Sequence, residues 1–141
     1  MTTHKAQAEW QGNLKDGRGN MKLGSGEFKG DFNAATRFEE GNGTNPEEMI
    51  GAAHAGCYSM ALANLLAEAG HKPKNVSTRA AVNLDKTDNG FAITKIHLET
   101  EANIPNMKDD EFKKFAEKAK TECTVSKALG VDISLNATLK S

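Results

Sequence analysis

Cysteine occurs only twice in the 141 residues, as Cys57 and Cys123, and these two thiols offer the most versatile chemistry in the chain. The thiolate, not the thiol, is the nucleophile and the metal ligand. Cys57 lies in a long stretch from Met49 to Ala67 (MIGAAHAGCYSMALANLLA) that contains no Asp, Glu, Lys or Arg. Apolar surroundings raise a thiol's pKa and keep it protonated, so a reactive Cys57 needs a partner that favours its charged form. The two cysteines do not form a CxxC pair, and thioredoxin-like exchange has no motif to support it. Carried on different elements, they can still meet in space. The plain alternative is two buried free thiols that never touch, a common fate for core cysteine.

Other reactive side chains give thinner signals. His54 and Cys57 stand at i, i+3 on one helical face, and Cys123 and His97 could complete four metal ligands. That set draws on three separate elements and lacks CxxC or HxxxH spacing, so no metal is expected. Arginine is rare: Arg18, Arg37 and Arg79. Arg37, in Ala-Thr-Arg-Phe-Glu, reads most simply as an exposed strand residue paired with Glu39 or Glu40. Glu47 reads most simply as an acid favouring a helix N-terminus.

The elements that must position these residues follow from periodicity and punctuation. The first forty residues alternate short β-type runs with glycine turns (GRGN, GSG, then GNG), which predicts a strand meander. These glycines lack GxxxxGK[ST], so they read as turns rather than a phosphate loop. Asn45-Pro46-Glu47-Glu48 combines an N-cap residue, a proline at the first helical position and acids in the first turn. The predicted helix runs to about Glu68 and stops at Gly70. Val76, Thr78, Ala80, Val82 and Leu84 share one parity of a strand, and Asp88-Asn89-Gly90 supplies a hairpin turn. The next strand, Phe91 to about Ala102, changes phase between Ile93 and Ile96, as a bulge would. Phe112, Phe115, Ala116 and Ala119 mark an amphipathic helix over 108–121, with a short helical turn continuing through Ser126 to Leu129. Val131, Ile133, Leu135, Ala137 and Leu139 alternate as a final strand.

The result is a single α+β domain, residues 1–141, with antiparallel sheet. One sheet and one amphipathic helix cannot cover a central helix that is apolar on nearly all sides. The small residues Gly51, Ala52, Ala53, Ala55 and Gly56 permit close approach by a second helix, so a homodimer with packed central helices is expected. The uncharged stretch has the length of a membrane span, but its Gly, His, Ser and Asn content favours a core helix. With 18 basic and 19 acidic residues and 6% aromatics, the chain has neither the charge nor the stacking platforms of a nucleic-acid binder. The opening MTTHKAQAEW has no apolar core of the secretory kind, and two cysteines are too few for a disulfide scaffold. A soluble, cytoplasmic protein is expected.

The segment NPEEMIGAAHAGCYSMAL resembles the first-cysteine motif of the OsmC/Ohr family (osmotically inducible protein C and organic hydroperoxide resistance proteins), and CTVSKAL resembles its second. TRFEEGNGTNPEE, LDKTDNGFAITKIHL and the final strand extend the similarity, and FNAATRFE places the arginine as in the OsmC branch. The resemblance implies an intertwined homodimer with sheets wrapped around central helices and two sites at the interface. It implies a thiol-dependent peroxidase acting on organic hydroperoxides without cofactor or metal, with Cys57 peroxidatic, Cys123 resolving, and Arg37 and Glu47 an activating charged pair. The reductant it suggests is an external dithiol such as dihydrolipoamide. The family's usual proline after the second cysteine is Thr124 here, and loss of that fixed φ is expected to loosen the backbone holding Cys123. Glu47 and Cys57 are ten residues apart, about 15 Å along an unbroken helix. To serve one site, the helix must break near Gly51, or Glu47 must serve the other subunit's cysteine. Two further readings are a small-molecule carrier and a metal-binding dimer, each with non-catalytic cysteines.

Overall fold

The computed structural model of the chain describes residues 1–140 and divides into two compact units, Met1–Met49 and a second beginning at Ile50. In the first, β1 (Ala6–Gln11), β2 (Arg18–Leu23) and β3 (Lys29–Phe32) form an antiparallel meander. Trp10 and Phe32 pack across it with ring centroids 5.4 Å apart, directly over Gly19, where a Cβ would lie 2.7 Å from the indole. The meander matches the glycine punctuation. A short helix, α1 (Ala34–Phe38), was not expected from the sequence. It forms because Asn33 and Thr36 build a reciprocal capping box, each side chain accepting the other's backbone N–H at 2.9 Å. Arg37 is therefore helical, not a strand residue.

Helix α2 (Pro46–Glu68) starts in the first unit and continues through the second without interruption. Asn45 caps it as expected: its Oδ1 accepts the Glu48 N–H at 2.7 Å, and its Nδ2 donates to the Thr36 carbonyl at 2.9 Å. Gly70, at φ +90°, supplies the left-handed residue just beyond the helix end.

The second unit contains β4 (Asn75–Thr87), β5 (Gly90–Asn103), α3 (Asp109–Glu122), α4 (Thr124–Ala128) and β6 (Asp132–Lys140). The β4–β5 register jumps from Asn83↔Lys95 to Leu84↔Ile93, so Thr94 is the extra residue of the bulge and both Ile93 and Ile96 turn inward. The sheet order is β4-β5-β6, and here one expectation fails. β6 pairs with β5 in parallel, not antiparallel. The reason is the connection: α3 and α4 carry the chain back to the starting end of β5, as a helical crossover does and a hairpin cannot.

Tyr58, Leu62 and Leu66 of α2 are wholly buried with Ile96, Leu98, Ala102, Ile104, Phe112 and Ala119 in one core. Their spacing by four, continuing the His54 position, marks a single buried stripe along the helix. By length and composition α2 could cross a bilayer, yet this stripe is occupied by the protein's own core. Ala52, Ala53, Gly56 and Met60 lie exposed elsewhere on the helix, Met60 at 76%. Because Asn45 satisfies both the α2 N-terminus and the last carbonyls of α1, Asn45→Ala should cost about 1–2 kcal/mol. Urea unfolding of the variant beside wild type would measure that loss.

Candidate active site

The chemistry-bearing residues gather in two places, one in each unit. In the first, Arg37 and Glu47 form a two-pronged ion pair: Nε donates to Oε1 at 2.9 Å and Nη2 to Oε2 at 3.1 Å. The Glu47 side chain is 10% exposed and that of Arg37 35%. A bidentate carboxylate holds the planar guanidinium in one orientation while its remaining donors stay open. The capping box fixes the backbone under Arg37, and the guanidinium also stacks 5.3 Å from the Phe38 ring centroid. An open hollow lined by Trp10, Leu14, Phe32, Ala34 and Phe38 adjoins Arg37, so a cationic donor meets an apolar surface.

In the second unit, the two thiols come together. Both are free, Cys57 half-buried and Cys123 buried at 1% exposure. Cys123 directly precedes Thr124, whose hydroxyl meets the Cys57 sulfur. Cys57 Sγ lies 3.2 Å from the Thr124 hydroxyl. Burial pushes the Cys57 thiol up, but hydrogen bonding, that of Thr124 first, outweighs it and holds the thiol below its ordinary value. Burial is the main cause that pushes Cys123 up, and Cys57 adds to the rise. The pair is thus asymmetric: Cys57 ionises first and Cys123 keeps its proton.

The junction of α3 and α4 that presents Cys123 is firmly held. The Cys123 N–H bonds to Ala119 O at 2.9 Å, and its carbonyl accepts the Lys127 N–H at 3.0 Å. Fully buried His54 places Nε2 2.7 Å from Ser126 Oγ, tying α2 to α4, while Tyr58 donates to the Ala116 carbonyl at 3.0 Å. Burial pushes His54 down, so the ring is neutral near pH 7. Burial pushes the Tyr58 phenol well up, so it stays a donor. His54 Nδ1 has no partner; an unprotonated Nδ1 with Nε2–H donated to Ser126 leaves only a bare lone pair, the cheaper deficit. His97 lies on β5 bonded to Ser134 Oγ at 2.6 Å. Among the described residues no group of three or more His, Cys, Asp or Glu is placed to hold a metal, so the four-ligand set is not assembled.

Sequence reasoning missed three residues. Thr124 was read only as an absent proline, Ser126 only as part of a helical turn, and Tyr58 not at all. The usable signal was the hydroxyl pair flanking Val125 directly after Cys123, which a helical turn presents to whatever packs on Cys123.

Fold and site together define an α+β protein with a paired, unequal two-thiol centre and a separately built arginine–glutamate clamp. The profile of the family described as OsmC-like protein matches residues 39–136, which include Glu47 and both cysteines. Peroxiredoxin OsmC of Escherichia coli is 48% identical over 143 residues, covering the whole of both chains. Organic hydroperoxide resistance protein-like 2 of Staphylococcus epidermidis is 32% identical over 102 residues, 70% of each. Among solved structures, an OsmC-like protein of unknown function from Vibrio cholerae superposes with a TM-score of 0.78 at 17% identity, covering 97% of this chain and 99% of that one. An organic hydroperoxide resistance protein OsmC from Legionella pneumophila gives 0.72 at 22% identity over the whole of both chains. The chain belongs to the OsmC family, in its OsmC branch.

The depressed His54 has a consequence for stability. Folded His54 binds its proton more weakly than unfolded, so acidification below about pH 6.5 favours the unfolded chain until the folded imidazole titrates too. Stability should therefore fall between pH 7 and 5, by up to about 1.4 kcal/mol per pH unit from this residue. His54→Gln keeps a donor for Ser126 but cannot titrate. Urea midpoints measured across that range should fall less steeply in the variant than in wild type.

Proposed function

We propose that the chain is a cysteine-based peroxidase that reduces organic hydroperoxides to alcohols. The observation that carries this reading is the Cys57–Cys123 pair, with an ionisable thiol held beside a buried, protonated one. The names of the Escherichia coli and Staphylococcus epidermidis relatives support it. The Cys57 thiolate attacks the terminal peroxide oxygen and the O–O bond breaks, giving a Cys57 sulfenic acid and an alkoxide that takes up a proton. The Cys123 thiol then condenses with the sulfenic acid, releasing water and forming the disulfide. A dithiol such as dihydrolipoamide reduces that disulfide by exchange and is itself oxidised. The cycle requires a reducing compartment, consistent with a cytoplasmic protein.

Arg37 is suited to stabilise the developing alkoxide, and the hollow of Trp10, Leu14, Phe32, Ala34 and Phe38 beside it suits an alkyl tail. Hydrogen peroxide gains nothing from such a surface, so organic hydroperoxides are the better substrates. In this reading the clamp serves the thiol of a second copy, in a homodimer that covers the exposed Ala52, Ala53, Gly56 and Met60 face.

Consumption of cumene hydroperoxide with dihydrolipoamide tests the chemistry. Wild type should turn over repeatedly, Cys57→Ser should lose at least about a thousandfold, and Cys123→Ser should stop after one equivalent. Absence of turnover in wild type with any dithiol would overturn the reading. Co-refolding inactive Arg37→Ala with inactive Cys57→Ser tests the dimer. A shared site restores roughly a quarter of wild-type activity, since half the dimers are mixed and each carries one complete site. A site built within one chain restores none.

A further inference from the structure

The groups that lower the Cys57 thiol all come from the few residues following α3, and among them the Thr124 hydroxyl meets the sulfur directly. A side chain without a donor, proline included, could not make that contact. Thr124 Oγ1 lies 3.2 Å from Cys57 Sγ, within reach of a sulfur hydrogen bond. Either atom can donate while Cys57 is a thiol. Once Cys57 ionises only the hydroxyl has a proton to give, and the bond becomes charge-assisted.

The other titratable groups around the sulfur do not substitute for it. Cys123, on the α3–α4 junction, is pushed up by burial and holds its proton. On α2 itself, His54 is neutral and engaged with Ser126, and Tyr58 is protonated and engaged with the Ala116 carbonyl. None of the three brings a positive charge to the thiolate. Within the second unit the Thr124 hydroxyl is the donor that meets the sulfur, and it acts beside any charge that the clamp of a second copy brings.

We propose that Thr124 is a thiolate-stabilising residue of this chain, its hydroxyl donating to the Cys57 sulfur in the reduced enzyme and releasing it when the Cys57–Cys123 disulfide forms. The bond has two effects. It raises the fraction of Cys57 that is nucleophilic at neutral pH. It also favours the reduced dithiol over the disulfide, because the stabilised anion disappears on oxidation and returns on reduction. A side chain without a donor at this position would lack the bond, so the Thr124 hydroxyl favours regeneration by the dithiol. The kinetic consequence rests on the peroxidase reading; the effect on ionisation does not.

The test is the pH dependence of Cys57 alkylation by iodoacetamide, read at the Cys57 peptide by mass spectrometry. Thr124→Val replaces the hydroxyl by a methyl of the same shape and keeps the N–H. Its alkylation midpoint should rise by about one pH unit, and Thr124→Ala should rise equally. Thr124→Ser should return close to wild type. At a pH above both midpoints, equilibration with a dithiol buffer should leave the Thr124→Val disulfide about tenfold harder to reduce than wild type. Unchanged midpoints in both Thr124→Val and Thr124→Ala, with disulfide formation intact as proof of folding, would overturn the proposal. Shifted midpoints in a protein that consumes no hydroperoxide would leave the proposal standing and refute the peroxidase reading instead.

Discussion

Burying a thiol and keeping it ionisable are opposing demands, and the second unit is organised around reconciling them. Helix α2 inserts the stripe of His54, Tyr58, Leu62 and Leu66 into the core, and Cys57 rides at the edge of that stripe. Desolvation alone would hold its proton in place. Full charge compensation by a buried cation would carry its own desolvation cost. Within the second unit neutral dipoles share the task, the Thr124 hydroxyl at 3.2 Å foremost. They need only be pointed correctly, which makes the packing of α4 against α2 the controlling interaction. The His54–Ser126 bond holds that packing, and the Tyr58–Ala116 bond ties α3, which leads into α4, to the same helix.

The first unit solves a different problem, the orientation of one guanidinium. Two turns of chain supply the solution from local chemistry. The Asn33–Thr36 capping box forms α1, Asn45 links the end of α1 to the start of α2, and Glu47 in the first turn of α2 grips Arg37 with both oxygens. A carboxylate placed there is favoured twice, by the guanidinium and by the helix N-terminus.

Much of this was legible in the residues, for identifiable reasons. Asn45-Pro46-Glu47-Glu48 encodes the α2 start through local hydrogen bonding and a fixed φ, so it did not depend on tertiary context. The Ile93/Ile96 phase change encodes a bulge because a buried face tolerates no slip in parity. Two features were not legible. The parallel pairing of β6 depends on the crossover returning the chain to the starting end of β5, and β6's own alternation is identical for either direction. Helical α1 was hidden because Arg37 and Phe38 follow a strand meander, and the capping signal is split between Asn33 and Thr36. At the site, the two cysteines stood out from the residues themselves, while their separate roles and the Arg37–Glu47 pairing came from a resemblance. The role of Thr124 could not, since it lies where this sequence departs from the pattern.

The parallel strand has a consequence for how the thiol centre comes into being. Cys123 lies inside the crossover between β5 and β6, and α3 packs on β6, which follows both cysteines in the sequence. A chain emerging from the ribosome therefore exposes both sulfurs before the strand that anchors the crossover has been made. Loop closure over such a separation is slow compared with helix formation, so the centre matures late. Until β6 docks, the crossover that carries Cys123 lacks the strand on which α3 packs. Both cysteines are thus made before the scaffold that surrounds them in the folded chain is complete.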